Sequence, residues 1–324
     1  MRGKFLINTL KKSEKADGIT LICCFSRRIF APFFFKALDL MDLPREKIHL
    51  LVYDNTEDVL LEEALKDELS RFMCSECRQF KSVRLYKSYL KGRGNIRGSG
   101  NELFHLSKLF NIWAMWKKSY GMVYTDTFFQ LEDDTIAPPH AFKRLFSILH
   151  KNPKAAMVTG ISTGRSNVPW IPVGLGVHRM KMKGFFCLER HSLSPDTKGV
   201  VEVDGTGVYC FAARTNAFKK GFKNYDPQKL NVPFFALDNI FIWNIKRQGH
   251  KILADFSTWV MHLQASSARI IAFGKDQAIE MMTLWYPPAH NYIQGIEIKK
   301  KGQKGRRYKV TKQAQTWELD PDKE

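Results

Sequence analysis

The chain has 324 residues, of which 44% are hydrophobic and 13% aromatic, and this composition excludes an intrinsically disordered protein. Its 51 lysines and arginines against 32 acidic residues give a formal net charge of +19, which favours an anionic partner or substrate. The longest apolar stretches are far shorter than the ~20 residues needed to cross a bilayer, and the N-terminus has no sustained apolar segment of the kind found in signal peptides. We therefore expect no transmembrane segment and a cytoplasmic location.

The six cysteines do not form the pattern of a secreted disulfide framework. Cys23 and Cys24 are adjacent inside an apolar run, which fits reduced, partly buried thiols in a reducing compartment. Cys74 and Cys77 have the spacing of half a zinc site, but no second pair follows at zinc-finger spacing. Reduced thiols are therefore the preferred interpretation.

The clearest strand patterns lie near the start of the chain. Residues 19–25 and 48–54 are largely apolar runs, the second of which ends in Asp54, and each predicts a buried strand. Helical apolar spacing follows each run. The next predicted elements in chain order are helices at 33–41 and 59–73, a strand at 82–86, a helix at 103–116 and a strand at 128–131.

The second half of the chain is patterned less regularly. A strand is predicted at 155–159, and glycines, prolines and isolated aromatic residues predict long loops from 160 to 207, with an alternating stretch at 179–183 that could line a cationic face. The remaining predicted core elements are a strand at 208–213, a helix at 238–248 and a strand at 251–254. Strands that alternate with helices predict an α/β fold: a doubly wound, Rossmann-like, mostly parallel sheet flanked by helices.

Three acids stand together directly after the predicted strand at 128–131. Glu132, Asp133 and Asp134 precede a turn that Pro138 and Pro139 enforce. Burying like charges together is costly unless a cation neutralises them, and carboxylate oxygens suit a hard divalent ion whose shell a substrate pyrophosphate completes. The alternative is an acidic turn exposed to solvent.

The order of these motifs resembles that of the family-2 glycosyltransferases, which are inverting enzymes with the GT-A fold. In that family the acidic triplet is the D-x-D motif, and here Glu132 takes its first position, Asp134 its last, and Pro139 follows. A second motif is similar to the family's E-D helix: Asp238 precedes Gly249 by eleven residues. The chain departs from the family at Leu237, where the family commonly has glutamate.

Two further segments resemble the same family. Residues 203–214 are similar to its V-D-x-x-G-x-G strand, with one glycine offset, so Gly205 and Gly207 are expected on the acceptor side. His262 matches the late histidine that completes the metal site in many relatives. The similarity covers about residues 19–263.

The resemblance implies a role for each matched residue. Asp238 would be the general base of a direct displacement that inverts the sugar, and Asp134 with His262 would hold Mn²⁺ or Mg²⁺. The residues implied in binding the nucleotide sugar, with UDP the favoured nucleotide, are Asp54 at the base or ribose, Lys108 and Asn111 near the diphosphate, and Glu132 and Asp133. Helix capping is the alternative role for Asp238, and a hydrogen-bonded core histidine is the alternative for His262.

The same resemblance sets the expected domain organisation. Residues 1–290 would form one GT-A domain, with a nucleotide-sugar half at about 17–140 and an acceptor half at 141–290. Residues 291–324 would form a basic C-terminal extension, because lysine and arginine dominate it near its start.

The acceptor is predicted from charge. Residues 78–97 contain seven lysines and arginines and no acid, interleaved with aromatic side chains, which is typical of a track for phosphates. We expect a polyanionic acceptor, with a hydroxymethylated base in DNA first. The alternatives are a lipid-linked or cell-envelope acceptor with peripheral membrane contact, and a non-catalytic nucleic-acid-binding protein.

Overall fold

The computed structural model describes residues 16–25, 30–54, 59–72, 79–87, 102–162, 176–182, 185–190, 199–223 and 237–262. Within them, strands and helices alternate through the first half of the chain. In order these elements are β1 (Ile19–Phe25), α1 (Ala31–Leu40), a short 3-10 helix (Arg45–Lys47), β2 (Ile48–Asp54), α2 (Val59–Arg71), β3 (Ser82–Lys87), α3 (Glu102–Gly121) and β4 (Thr127–Leu131). The predicted bounds of β1 and β2 are confirmed.

The second half adds strands of both directions and three helices. In order its elements are β5 (Thr135–Ile136), α4 (Ala141–Lys151), β6 (Ala155–Ser162), β7 (Gly176–Met182), β8 (Phe185–Arg190), β9 (Val200–Glu202), β10 (Cys210–Arg214), α5 (Thr215–Lys223), α6 (Leu237–Lys246) and β11 (Lys251–His262). Strands β7 and β8 form a separate two-stranded sheet.

All the other strands form one mixed sheet. Eight of them follow the order β3-β2-β1-β4-β10-β6-β11-β5, and β9 makes the sheet nine-stranded by pairing with β11. Strands β3, β2, β1, β4, β6 and β11 run in one direction, whereas β10, β5 and β9 run antiparallel to their neighbours. The predicted α/β fold with a mostly parallel sheet is therefore confirmed. Because β10 lies between β4 and β6, both halves of the chain build the same sheet.

Helices cover both faces of the sheet. Leu61, Leu65 and Leu69 recur every four residues on α2 and are buried with side chains of α1 and α4 in one core. Trp116 on α3 and Phe241 on α6 belong to the core on the other face, together with side chains of α5. Each helix thus places one apolar stripe against the sheet, which accounts for the flanking of the sheet by helices.

Two predictions about the second half are wrong. The segment 160–207 is not all loop, because β6 continues to Ser162 and strands β7, β8 and β9 follow. The strand predicted at 251–254 is 12 residues long. Its apolar pattern is interrupted at Asp255, whose buried carboxylate accepts hydrogen bonds from the Arg144 guanidinium (Nε at 2.5 Å, Nη2 at 3.0 Å) and from Thr258 Oγ1 (2.6 Å). These bonds stabilise Asp255 in the interior of the strand. From periodicity alone, the same break in the apolar pattern predicts the end of a strand.

No helix in the described part of the chain is long and apolar enough to cross a membrane. The predicted basic extension at 291–324 lies outside the described residues, as does the end of the predicted main domain beyond 262.

Candidate active site

Two of the predicted site residues lie at the edge of the sheet where the parallel strands β1, β2 and β4 end. Asp54 is the last residue of β2, and Glu132 directly follows β4. Strand β1 leads to β2 and β3 on one side, whereas β4 pairs with it on the other. Open α/β sheets bind ligands outside the carboxyl ends of their strands at such a reversal of strand order. The sheet therefore provides a place for a ligand between β1 and β4.

The acidic triplet forms a tight turn at this edge. The backbone N–H of Thr135 donates to the carbonyl oxygen of Glu132 at 3.1 Å, which closes the turn. The side chains of Asp133 and Asp134 are 4% and 1% exposed. Burial raises the pKa of the Cys23 thiol, and the neighbouring carboxylates, Asp133 first, raise it further. The turn is thus a concentrated source of negative potential.

This turn fits a hard divalent cation in part. Carboxylate oxygens are the ligands that Mg²⁺ and similar ions prefer, and Mg²⁺ is commonly held by one or two carboxylates together with substrate phosphates. Among the described residues, no three side chains of His, Cys, Asp or Glu are grouped closely enough to hold a metal by themselves. Any ion here would therefore need oxygen ligands from a substrate or from residues outside that set.

His262 is the predicted additional ligand. Its backbone pairs with that of Thr135, where the end of β11 runs antiparallel to β5, so it lies beside the residue that follows Asp134. Its side chain lies outside the described residues. Its role as a metal ligand stays a prediction.

The loop before β10 is fixed to the acidic turn. The Nε2 atom of Gln130 donates to the carbonyl oxygen of Val208 at 2.6 Å, and the backbone N–H of Glu132 donates to that of Tyr209 at 2.9 Å. Pairing of Cys210 with Leu131 continues these contacts into the sheet. Val208 and Tyr209 therefore lie next to the start of the acidic turn, although they are distant from it along the chain.

Asp238 approaches the same loop from α6. It is the second residue of that helix, where the helix dipole favours a carboxylate. A Cβ atom on Gly207 would lie 3.7 Å from Asp238 Oδ2. Burial raises the pKa of the Tyr120 phenol, and both Glu132 and Asp238 raise it further. Carboxylates from the two halves of the chain thus act on one buried residue.

The far end of α6 is also tied to this loop. Lys246 Nζ lies 2.5 Å from Asp204 Oδ1 and donates to the carbonyl oxygen of Val203 at 3.3 Å. Asp204, the acid of the V-D motif, is therefore part of an ion pair that anchors α6. Gly205 and Gly207 are both buried in the loop that this contact begins.

Of the other residues predicted to bind the nucleotide, only Asp54 has a described side chain. Asp54 is fully buried, and its Oδ2 lies 3.6 Å from Lys87 Nζ, which also pairs with Glu62 on α2. Its contact with a base stays a prediction. Lys108 and Asn111 lie in α3, but their side chains are outside the described residues.

Three residues have contacts at this edge that were not predicted from the sequence. Tyr209 and Gln130 hold the loop, and Lys87, which was predicted as part of the basic segment 78–97, pairs with Asp54. Only Gln130 is marked in the sequence, as a polar residue between Phe129 and Leu131 in a buried strand. The contacts of the other two depend on strand pairing between distant segments.

Comparisons with known proteins add no assignment. A scan of the chain against models of protein families gave no match, and a search against curated proteins also gave none.

Proposed function

We propose that this protein is a metal-dependent inverting glycosyltransferase of the GT-A type, which moves a sugar from a nucleotide-sugar donor to an acceptor hydroxyl. The observation that supports this proposal most is that the acidic turn and Asp238 lie next to the same loop, the one before β10. The two come from opposite halves of the chain, and the loop that contains Gly207, whose Cβ position would be 3.7 Å from Asp238 Oδ2, is hydrogen-bonded to Glu132 through Tyr209. A single substrate can contact the acidic turn and Asp238 together only if both lie at the same edge of the sheet.

The acidic turn suits the diphosphate end of the donor. Asp134, with Asp133 or Glu132, would hold Mn²⁺ or Mg²⁺, with His262 as the further ligand that the family resemblance implies. Such an ion stabilises the negative charge that develops on a departing nucleoside diphosphate. The protein's own part is to hold two nearly buried carboxylates in one turn.

Asp238 suits the role of general base. Its carboxylate would take the proton of the acceptor hydroxyl while that oxygen bonds to the anomeric carbon and the bond from this carbon to the diphosphate breaks. Attack opposite the leaving group inverts the anomeric configuration. Leu237 stands where relatives commonly have glutamate, so the proposed chemistry uses Asp238 without a neighbouring acid.

The strand order is further support for the GT-A type. A parallel block, β3-β2-β1-β4, continues into β10, which runs the other way, and then into β6 and β11. In this arrangement both halves of the chain contribute to one sheet, which suits the division into a nucleotide-sugar half and an acceptor half that the family resemblance implies.

The acceptor remains a separate proposal. Of the basic residues in 78–97, three are described, and each makes contacts within the protein: Lys81 with Asp17, Arg84 with the carbonyl oxygen of Met122, and Lys87 with Asp54. The others lie outside the described residues, as does the basic tail. A polyanionic acceptor, with DNA first and a lipid-linked or envelope polymer second, is therefore proposed from net charge alone. Salt-sensitive binding to duplex DNA, compared with binding to anionic vesicles, separates the two.

A panel of nucleotide sugars tests the donor proposal. The unmodified protein would be heated with UDP-glucose, UDP-galactose, UDP-N-acetylglucosamine or GDP-mannose, each with Mn²⁺ and with chelator. Ligands that bind only the folded state raise the melting temperature, so we expect at least one UDP-sugar to do so in the presence of Mn²⁺ and a smaller rise with chelator. No rise with any donor would contradict the proposal.

A further inference from the structure

Tyr209 contacts the acidic turn through its main chain. It precedes β10 and is 3% exposed. Its carbonyl oxygen accepts the 2.9 Å hydrogen bond from the backbone N–H of Glu132. The position of Tyr209 and that of the first acid in the turn are therefore linked directly.

The ring of Tyr209 lies against Gly207. A Cβ atom on Gly207 would be 2.6 Å from Cδ1 and 2.7 Å from Cε1 of this ring, and 3.7 Å from Asp238 Oδ2. Carbon atoms do not approach at 2.6 Å without displacement, so only a residue without a side chain fits here. The tyrosine ring and the carboxylate of Asp238 thus both lie close to Gly207.

The hydroxyl of Tyr209 is anchored to the end of β6. It donates to the carbonyl oxygen of Gly160 at 3.0 Å and accepts from the backbone N–H of Ser162 at 3.1 Å. Regular pairing of β6 with β10 ends at Thr159 and Phe211, so these contacts extend the connection beyond the last paired residues. Burial raises the pKa of Tyr209 to about 12, and the hydroxyl therefore keeps its proton at neutral pH.

We propose that Tyr209 is a positioning residue that sets the separation between the acidic turn and Asp238. Its carbonyl oxygen accepts a hydrogen bond from Glu132, its ring packs against Gly207 close to Asp238, and its hydroxyl fixes the ring to β6. The inference rests on the proposed function, because it assigns the two ends of that distance to the donor diphosphate and the base. A shift of about 1 Å between reacting groups can lower a rate about 100-fold.

Two substitutions separate the ring from the hydroxyl. Tyr209→Leu removes both, and we expect kcat to fall about 10- to 100-fold. Tyr209→Phe keeps the ring, and the loss of the hydroxyl contacts should lower kcat about 3- to 10-fold. The reaction is hydrolysis of the UDP-sugar that gives the largest thermal shift, with Mn²⁺ and with water as the acceptor. The KM for this donor and the thermal shift with UDP should stay within about twofold of the unmodified protein, because the acidic turn itself is unchanged.

Tyr124→Phe is the matched control. Tyr124 lies before β4 at the opposite edge of the sheet, where its ring faces the Arg84 guanidinium at 5.5 Å, and its variant should have unchanged kcat. An unchanged kcat in Tyr209→Leu would overturn this inference and leave the proposed function standing. A fall in kcat accompanied by loss of the UDP thermal shift would have the same meaning. If Tyr209→Leu does not fold, an unchanged kcat in Tyr209→Phe has the same meaning. Absence of donor turnover in the unmodified protein would remove the proposed function and this inference with it.

Discussion

The Oδ2 atom of Asp238 lies 3.7 Å from the position that a Cβ atom would take on Gly207. This distance places the start of α6 close to the loop before β10, and the same loop is hydrogen-bonded to Glu132 at the end of β4. The carboxylate of Asp238 and the acidic turn thereby both lie next to one short segment. The proposed chemistry depends on that connection.

Asp238→Asn tests the general base. Asparagine keeps the shape of aspartate and loses only the charge that the helix dipole favours, which costs about 0.3–1 kcal/mol, so the variant should fold with at most a small fall in melting temperature and bind UDP with Mn²⁺ normally. It cannot accept the proton, and we expect kcat to fall about 100-fold or more. Donor hydrolysis and sugar transfer both measure this. Near-normal turnover would leave Asp238 with the capping role alone.

Asp134→Ala tests the metal ligand. Removal of a buried carboxylate from the turn should abolish the part of the UDP thermal shift that Mn²⁺ adds, because the ion loses a negatively charged oxygen ligand. Asp67→Ala, at an exposed position on α2, is the control and should retain that part. Equal UDP affinity with Mn²⁺ and with chelator in the unmodified protein would count against a metal at this turn.

Gly207→Ala tests the close approach at the loop. The new methyl group would lie 2.6 Å from the ring of Tyr209, and overpacking of this kind costs about 1–3 kcal/mol of unfolding free energy. We also expect kcat to fall by about 10-fold or more, because the loop or Asp238 must move. Chemical denaturation and donor turnover measure the two effects.

Gly121→Ala is the control for this substitution. A Cβ atom there meets nothing within 4 Å, so the stability should stay the same or rise slightly, and the turnover should not change. A Gly207→Ala variant that behaves like this control would mean that the contact at Gly207 does not constrain the site.

His49 predicts a loss of stability in mild acid. Burial lowers its pKa below the ordinary value of 6.5, and its ring nitrogens contact Ser82 Oγ at 2.7 Å and the carbonyl oxygen of Asp17 at 2.8 Å. As the pH falls below 6.5, the unfolded chain binds a proton before the folded protein does. The stability from this group is therefore complete above pH 6.5 and is lost as the pH falls through the folded-state pKa.

Denaturation midpoints measured between pH 7 and pH 5 check this prediction. The midpoint should fall with pH in the unmodified protein and fall less steeply in His49→Gln, which has no titrating group at this position. Burial also lowers the pKa of His140 and of His250, so part of the slope should remain. Identical slopes in the two proteins would show that His49 does not carry the effect.

Local pattern predicted the sheet strands whose apolar runs are continuous. Strands β1 and β2 begin and end where predicted, since every residue from Thr20 to Phe25 and from Ile48 to Asp54 is buried. Strand β11 was predicted too short because Asp255 interrupts its apolar pattern, and the partner of that carboxylate, Arg144, is 111 residues away along the chain. The sequence could not reveal that compensation.

The candidate site shows the same difference between local and long-range information. The acidic cluster at Asp134 stands out in the local sequence, Asp238 was predicted from the family resemblance, and the role of each stays a prediction. The residues that hold them in place could not be predicted, because Tyr209 meets Glu132 and Gly160 only through strand pairing across the sheet. Distances between segments remote in sequence require the fold itself.

A crystal structure of the protein with UDP and Mn²⁺, with the ion located by its anomalous scattering, is the most direct measurement of the central claim. The account predicts an Mn²⁺ peak between the Asp134 carboxylate and the diphosphate, with Asp238 on the side of the diphosphate where a donor sugar would extend. Mn²⁺ and UDP bound away from the end of β4, or bound there with Asp238 beyond the reach of a donor sugar, would contradict it.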